Sequence, residues 1–135
     1  MKKLIGIIAI LTIIFIYGCS KQPSSIKAKQ DGKPLIVMYG DFKCPYCKKV
    51  EDKVMPKLRN KYIDKNKVKF QYVNLAFIGK DSIIGSRAQQ AVNHYAPKYS
   101  LQFQKLMFEH QKDEDKKWIT HTLIDKQIDK LNISN

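Results

Sequence analysis

Arginine is nearly missing from this 135-residue chain: of its 25 basic residues only Arg59 and Arg87 are Arg, and the rest are Lys. Nucleic-acid surfaces that read sequence lean on the planar guanidinium fork, so no nucleic-acid partner is expected. Acidic residues are also scarce, 12 in all, which leaves a net charge of +13. A Lys excess spread along the chain suits a solvated surface held near anionic lipid or cell-wall polymer. Six glycines and five prolines exclude a collagen-like or low-complexity chain. Three cysteines are too few for a disulfide-stapled scaffold. Histidines number three, His94, His110 and His121, at no spacing that suits a metal. The length leaves room for one domain, and no internal repeat divides it.

Long hydrophobic runs are absent as well, with one exception. Leu4 to Tyr17 is almost unbroken apolar sequence behind Met1-Lys2-Lys3. At about fourteen residues it is short of the roughly 20 that a spanning helix needs, and it fits the apolar core of a secretory signal. It ends in Tyr17-Gly18-Cys19-Ser20, which resembles a bacterial lipobox; Gly18 and Cys19 match, whereas a small residue is usual where Tyr17 stands. Residues 1–18 are therefore expected to be a lipoprotein signal peptide and Cys19 the lipidated residue. This places the rest of the chain on the outer face of the cytoplasmic membrane. Loss of Lys2 and Lys3 with the signal lowers the net charge from +13 to +11. Residues 19–33, polar and rich in Ser and Lys, read as a tether.

From Pro34 to Tyr39 the chain is apolar and β-prone, and Gly40-Asp41 breaks it. Phe42-Lys43-Cys44-Pro45-Tyr46-Cys47 follows, then a helical pattern in which Cys47, Val50, Val54, Leu58 and Tyr62 recur at three- and four-residue steps. Pro45 falls in the first turn, where a helix accepts proline, and Pro56 should kink the same helix. A second strand is expected from Val68 to Val73, continuing through Leu75 and Phe77. A strand, a helix that opens on Cys-x-x-Cys and a second strand form a βαβ unit with a redox motif. The thiolate is the nucleophile of disulfide exchange, and a helix N-terminus favours the anion through its unpaired N–H groups and dipole. Lys43, Lys48 and Lys49 should add positive charge. On this reading Cys44 attacks, Cys47 resolves from the buried face, and Pro45 and Tyr46 tune the pair. A zinc site would lack two ligands, and a structural disulfide across one helical turn would staple almost no loop. No metal and no cofactor is expected.

Gly40 to Cys47, Met55-Pro56 and the lipobox together resemble the DsbA-like thiol:disulfide oxidoreductases of the thioredoxin superfamily, closest to the lipid-anchored members of Gram-positive bacteria. The resemblance runs from about Pro34 to the C-terminus. Cys-Pro-Tyr-Cys also occurs in glutaredoxins, which lack the signal sequence and the helical region seen here. That region has a helix capped by Asp81 or Ser82 with Ile84, Ala88, Ala91 and Tyr95 on one face, stopping near Pro97. A second helix is striped by Tyr99, Phe103, Leu106, Met107 and His110. A charged loop, Gln111 to Lys117, leads to a third helix over Trp118 to Leu131. The resemblance implies an α/β fold: a thioredoxin-like βαβ unit over residues 34–78 and a helical insertion over 79–135. It also implies a following ββα half with a cis-proline loop, which is lacking before Asn135, since the prolines are Pro23, Pro34, Pro45, Pro56 and Pro97. A fragment, a truncated reading frame or a pseudogene product is expected, with oxidoreductase activity if the chain is completed. The acid that many family members carry six positions before the first motif cysteine is replaced by Met38.

The implied function is an extracytoplasmic oxidase, a monomer, donating the Cys44–Cys47 disulfide to reduced thiols of secreted or cell-surface proteins. An extracytoplasmic disulfide reductase is the alternative within that class. A redox-impaired basic lipoprotein that binds anionic polymer or lipid is the alternative outside it.

Overall fold

Leu35–Gly40 forms strand β1 and Lys69–Asn74 forms β2, paired in parallel with Leu35 opposite Lys69 and Gly40 opposite Asn74. The computed structural model describes residues 32–133. The expected signal peptide, Cys19 and nearly all of the tether lie outside the described residues. Parallel strands require a crossover. Here it consists of α1 (Pro45–Lys53), a short α2 (Met55–Leu58) and a wide π-type turn at Arg59–Ile63. The expected kink is a break at Val54, and Pro56 sits in the first turn of α2, where its missing N–H leaves no bond unmade.

The buried line of this crossover is not the one the apolar spacing predicts. Val50, Val54 and Tyr62 are exposed, Val54 by 52%, whereas Glu51 and Met55 are buried. Cys47, Glu51 and Met55 follow one another at four-residue steps, and it is this line that packs inward. A carboxylate is tolerated there because two side chains satisfy it, as described below.

β2 also stops earlier than expected. Ala76 takes a left-handed backbone with φ of 54° and donates its N–H to Asn74 Oδ1 at 3.3 Å, so the chain turns after Asn74. Leu75 and Phe77 are consequently exposed.

The helical region comprises α3 (Ser82–Tyr95), a 3-10 turn at Pro97–Tyr99, α4 (Ser100–Glu109) and α5 (His121–Asp129). On α3 the expected apolar face is only half right: Ile84 and Ala88 are half-buried against the core. Ser82, Gly85, Ser86, Gln89 and Val92 are buried, while Ala91 and Tyr95 face solvent. Close packing selects these small residues. A Cβ on Gly85 would lie 2.9 Å from the Phe42 ring, and Ser86 Oγ donates to Asn74 O at 2.7 Å. On α4 the expected Phe103 and Met107 are buried, joined by Gln104 and Phe108. The third helix begins later than expected, at His121, because the Thr120 hydroxyl caps it by accepting from Leu123 N at 3.1 Å. Ile119, Leu123, Ile124 and Leu131 close the core.

Phe42, from the loop after β1, is the hub. Its ring centroid lies 5.3 Å from Tyr72, 5.2 Å from Phe108 and 6.2 Å from Phe103, the two Phe pairs in edge geometry. The side chain two residues before the first motif cysteine thus joins the sheet to the helical region. Among the described residues no helix is long and apolar enough to cross a membrane.

Candidate active site

The motif begins where β1 runs out. Asp41 O accepts from Cys44 N at 3.0 Å, a turn that brings the chain into α1. Cys44 is the N-cap residue, in extended backbone with φ −73° and ψ 116°, and its Sγ accepts from Cys47 N at 3.4 Å. Sulfur here does what a Ser or Asp oxygen does at ordinary helix starts, taking one of the first unpaired N–H groups. Pro45 is the first helical residue. Tyr46 is 73% exposed, its ring under Lys49 Nζ at 4.9 Å. Both motif thiols are free and half-buried.

Cys47 faces inward against the core. Burial, reinforced by Cys44, pushes its thiol up to about 11, while an Asp41 backbone hydrogen bond acts the other way. Gly40 makes room for it: a Cβ there would lie 2.8 Å from Cys47 Sγ, inside any real contact distance.

The expected ring of positive charge is only partly present. Lys43 is buried and committed to an ion pair, its Nζ 2.9 Å from Asp81 Oδ1. Asp81 Oδ2 accepts from Trp118 N at 3.0 Å and Ile119 N at 3.1 Å. Burial pushes the Asp81 carboxyl up, but Lys43 and these two N–H groups outweigh it and hold the group below its ordinary value of 3.8. Asp81 is the N-cap residue of α3, one of the two expected, but its side chain makes no cap bond to the helix. Lys48 is paired with Asp52 at 3.0 Å, an exposed pair within α1. A lysine that completes a buried ion pair brings little field to its neighbours, and this is why the charge count misled.

Three polar residues that the sequence reading left without a role lie around the motif. Asp41 is fully buried. Its Oδ1 accepts from Lys43 N at 2.9 Å and Ser82 Oγ at 2.8 Å, and Oδ2 accepts from Ile78 N at 3.0 Å. It fastens the motif loop to the start of α3. Glu51 pairs with Arg59 at 2.7 Å and accepts from Gln104 Nε2 at 2.7 Å, fastening α1 to α4. Gln111 Nε2 donates to Phe42 O at 2.6 Å and Cys44 O at 3.0 Å. The four-residue step from Cys47 to Glu51 was a usable signal. Gln111 carried none, since its partners are nearly 70 positions away in the chain. Met38 is half-buried against the core, and the nearest buried acid is instead Asp41, three residues before Cys44.

Beside the motif runs an open groove of about 770 Å³, lined by Lys43, Pro45, Gln111, Trp118 and the charged loop between them. Among the described residues no three His, Cys, Asp or Glu side chains converge as metal ligands. His94 lies against Tyr95 and His110 against Trp118.

The family model described as Thioredoxin matches residues 26–134. The chain is 38% identical over 96 residues to the probable disulfide bond formation protein D of Bacillus cereus, covering 71% of this chain and 44% of that protein. It is 36% identical over 109 residues to disulfide bond formation protein D of Bacillus subtilis, covering 78% and 49%. The chain thus spans about half the length of the curated relatives it matches. Among solved structures, oxidised BdbD from Bacillus subtilis superposes with a TM-score of 0.70 at 33% identity, over 79% of this chain and 58% of that one. DsbA of Chlamydia trachomatis shares the fold at a TM-score of 0.65 and 18% identity, over 81% and 60%. A family model that matches most of the chain, and relatives 36–38% identical over more than two thirds of it, show the family: the chain belongs to the thioredoxin family, with a DsbA-like fold.

Proposed function

We propose that this chain is the catalytic part of an extracytoplasmic thiol:disulfide oxidoreductase that donates the Cys44–Cys47 disulfide to reduced protein thiols. The observation that supports this best is the placement of Cys44 at the N-cap of α1, its sulfur on the N–H of Cys47. The relatives named as disulfide bond formation proteins point the same way. A substrate thiolate attacks Cys44 Sγ, the Cys44–Cys47 bond breaks, and Cys47 leaves as a thiolate. A second substrate thiolate then attacks the substrate sulfur of the mixed disulfide and expels Cys44. The substrate loses two electrons and the protein gains them. Pro45 and the exposed Tyr46 set the reactivity of the pair and meet the substrate. The reading further assigns residues 1–18 to a signal peptide and Cys19 to lipidation, so that a monomer works at the outer face of the membrane. The βαβ unit over 34–78 carries the chemistry, and the helical part over 79–135 holds it in place.

Equilibration of the full chain with glutathione buffers tests the direction of exchange. A reduction potential near the roughly −120 mV of DsbA fits an oxidase, and one near the roughly −270 mV of thioredoxin would replace it with a reductase. Metabolic labelling with a fatty acid tests the anchor: label in the wild type that disappears in Cys19→Ala is the expected result.

A further inference from the structure

We propose that the Tyr72 hydroxyl is the hydrogen-bond donor that receives the Cys47 thiolate when the Cys44–Cys47 disulfide opens, a role that rests on the disulfide-exchange reading above. Tyr72 stands in β2 opposite Met38, only 1% exposed, its ring against Phe42 and Phe108. Its hydroxyl finds no hydrogen-bond partner among the described residues. A buried hydroxyl without a partner is costly, and the rings packed on Tyr72, Phe42 and Phe108, carry none. Phenylalanine at position 72 would fill the same volume at no such cost. The hydroxyl therefore calls for a partner that exists in another state of the site.

Gly40 identifies that partner. A Cβ built on it would lie 2.8 Å from Cys47 Sγ and 3.2 Å from the Tyr72 hydroxyl, so the two atoms border one small space above the end of β1. Glycine keeps that space free of carbon. In the reduced form Cys47 Sγ stands outside hydrogen-bond geometry to the hydroxyl, and a neutral thiol, a weak acceptor, draws it in little. A thiolate is a strong one, and hydrogen bonds to charged acceptors are roughly twice as strong as neutral ones.

The chemistry needs a donor at this point. When a substrate thiolate attacks Cys44 Sγ, the electron pair of the broken Sγ–Sγ bond goes to Cys47 Sγ, in surroundings that penalise the anion. The titratable groups whose charge acts on Tyr72 are, in falling order, Cys47 of the motif, Asp41 of the loop after β1, Cys44 and Glu51 of α1. Burial and then these negative charges push the phenol far above its ordinary range. It therefore keeps its proton and serves as a donor only. No proton is transferred from it, and the thiolate is neutralised later by the proton that the substrate thiol released.

Tyr72→Phe in the full-length chain tests this, with the Cβ resonances of Cys44 and Cys47 followed by NMR against pH in the reduced protein. The expected result is a Cys47 midpoint that rises by about one pH unit, with the Cys44 midpoint in place. Single-turnover oxidation of a dithiol peptide should slow about tenfold. A merely structural role for the ring would move neither Cys47 nor the rate. A folded Tyr72→Phe protein whose Cys47 midpoint and rate match the wild type overturns the proposal. Should Tyr72→Phe not fold, 3-fluorotyrosine at position 72, a stronger donor of nearly the same size, must lower the Cys47 midpoint, and an unmoved midpoint overturns the proposal. A wild-type chain that neither exchanges its disulfide with glutathione nor oxidises the peptide overturns both this role and the redox reading. An exchanging chain with an unmoved Cys47 overturns this role alone.

Discussion

Replacing Lys43 by Met removes one partner of a buried ion pair and leaves the volume of the side chain nearly unchanged. Lys43 and Asp81 are 4% and 3% exposed, with 2.9 Å between them. Removing one member of such a pair strands the other charge, at a cost of about 3–5 kcal/mol. Asp81 retains the N–H groups of Trp118 and Ile119, which puts the loss at the lower end, about 3 kcal/mol at neutral pH. That is a large share of the 5–15 kcal/mol that typically holds a domain together.

The pH dependence gives the test its sign. In the wild type the folded pKa of Asp81 lies below its ordinary 3.8, so the unfolded chain takes up the proton first as the pH falls. The stability contributed by Asp81 is full above 3.8 and is lost as the pH falls through the folded value. Without Lys43 the folded pKa moves upward, and less stability remains to be lost in acid. Urea unfolding of the wild type and Lys43→Met should therefore show a defect that is greatest near neutral pH and shrinks as the pH passes 3.8. Adding Asp81→Asn to Lys43→Met should restore most of the neutral-pH loss. A neutral-pH loss under about 1 kcal/mol, typical of a surface pair, would refute the reasoning, as would a loss of equal size in acid.

Glu51→Ala leaves Arg59 and Gln104 without their shared carboxylate and should cost about 3 kcal/mol in urea, with faster amide exchange in both α1 and α4. Gly40→Ala drives a methyl into Cys47 Sγ, so a loss of about 1–3 kcal/mol is expected, together with altered Cys47 alkylation. His110 is held below 6.5 by burial and by Lys112, Lys130 and Lys126. The unfolded chain protonates before it, so its contribution is complete above pH 6.5 and is lost as the pH falls below that value. Thermal melts of His110→Gln should lose this part of the pH slope.

Much of the framework could be read from local sequence, and the exceptions share a physical cause. β1, the helix opening at Pro45 and the break at Val54, just before Pro56, are set by residues within a few positions of each other. Phe103 and Met107 follow the helical period and are buried as that period implies. The sequence failed where burial is decided by a distant partner. The period through Val50 and Val54 is as good as the one through Glu51 and Met55, and only Arg59 and Gln104 make the second line acceptable inside. On α3, Ile84 and Ala88 pack against the core as their spacing implies, but Ala91 and Tyr95 do not, and close approach to Phe42 demanded Gly85. Lys43 counted as a surface charge because nothing near it in sequence announced Asp81, 38 positions later.

These long-range pairs converge on one stretch of chain. Asp41 bonds to Ser82, Lys43 to Asp81, Glu51 to Gln104, and the carbonyls of Phe42 and Cys44 take both N–H groups of Gln111. Each bond starts between positions 41 and 51 and ends in the helical region between 81 and 111. Cys-Pro-Tyr-Cys supplies the sulfur atoms and the helix start, and the loop that presents Cys44 is tied as well to the helical side. A helical region of this kind does more than cover the motif. Loosening it would free the loop carbonyls, the Asp41 carboxylate and Glu51 together, so the pair's reactivity and the packing of α3 and α4 should change as one.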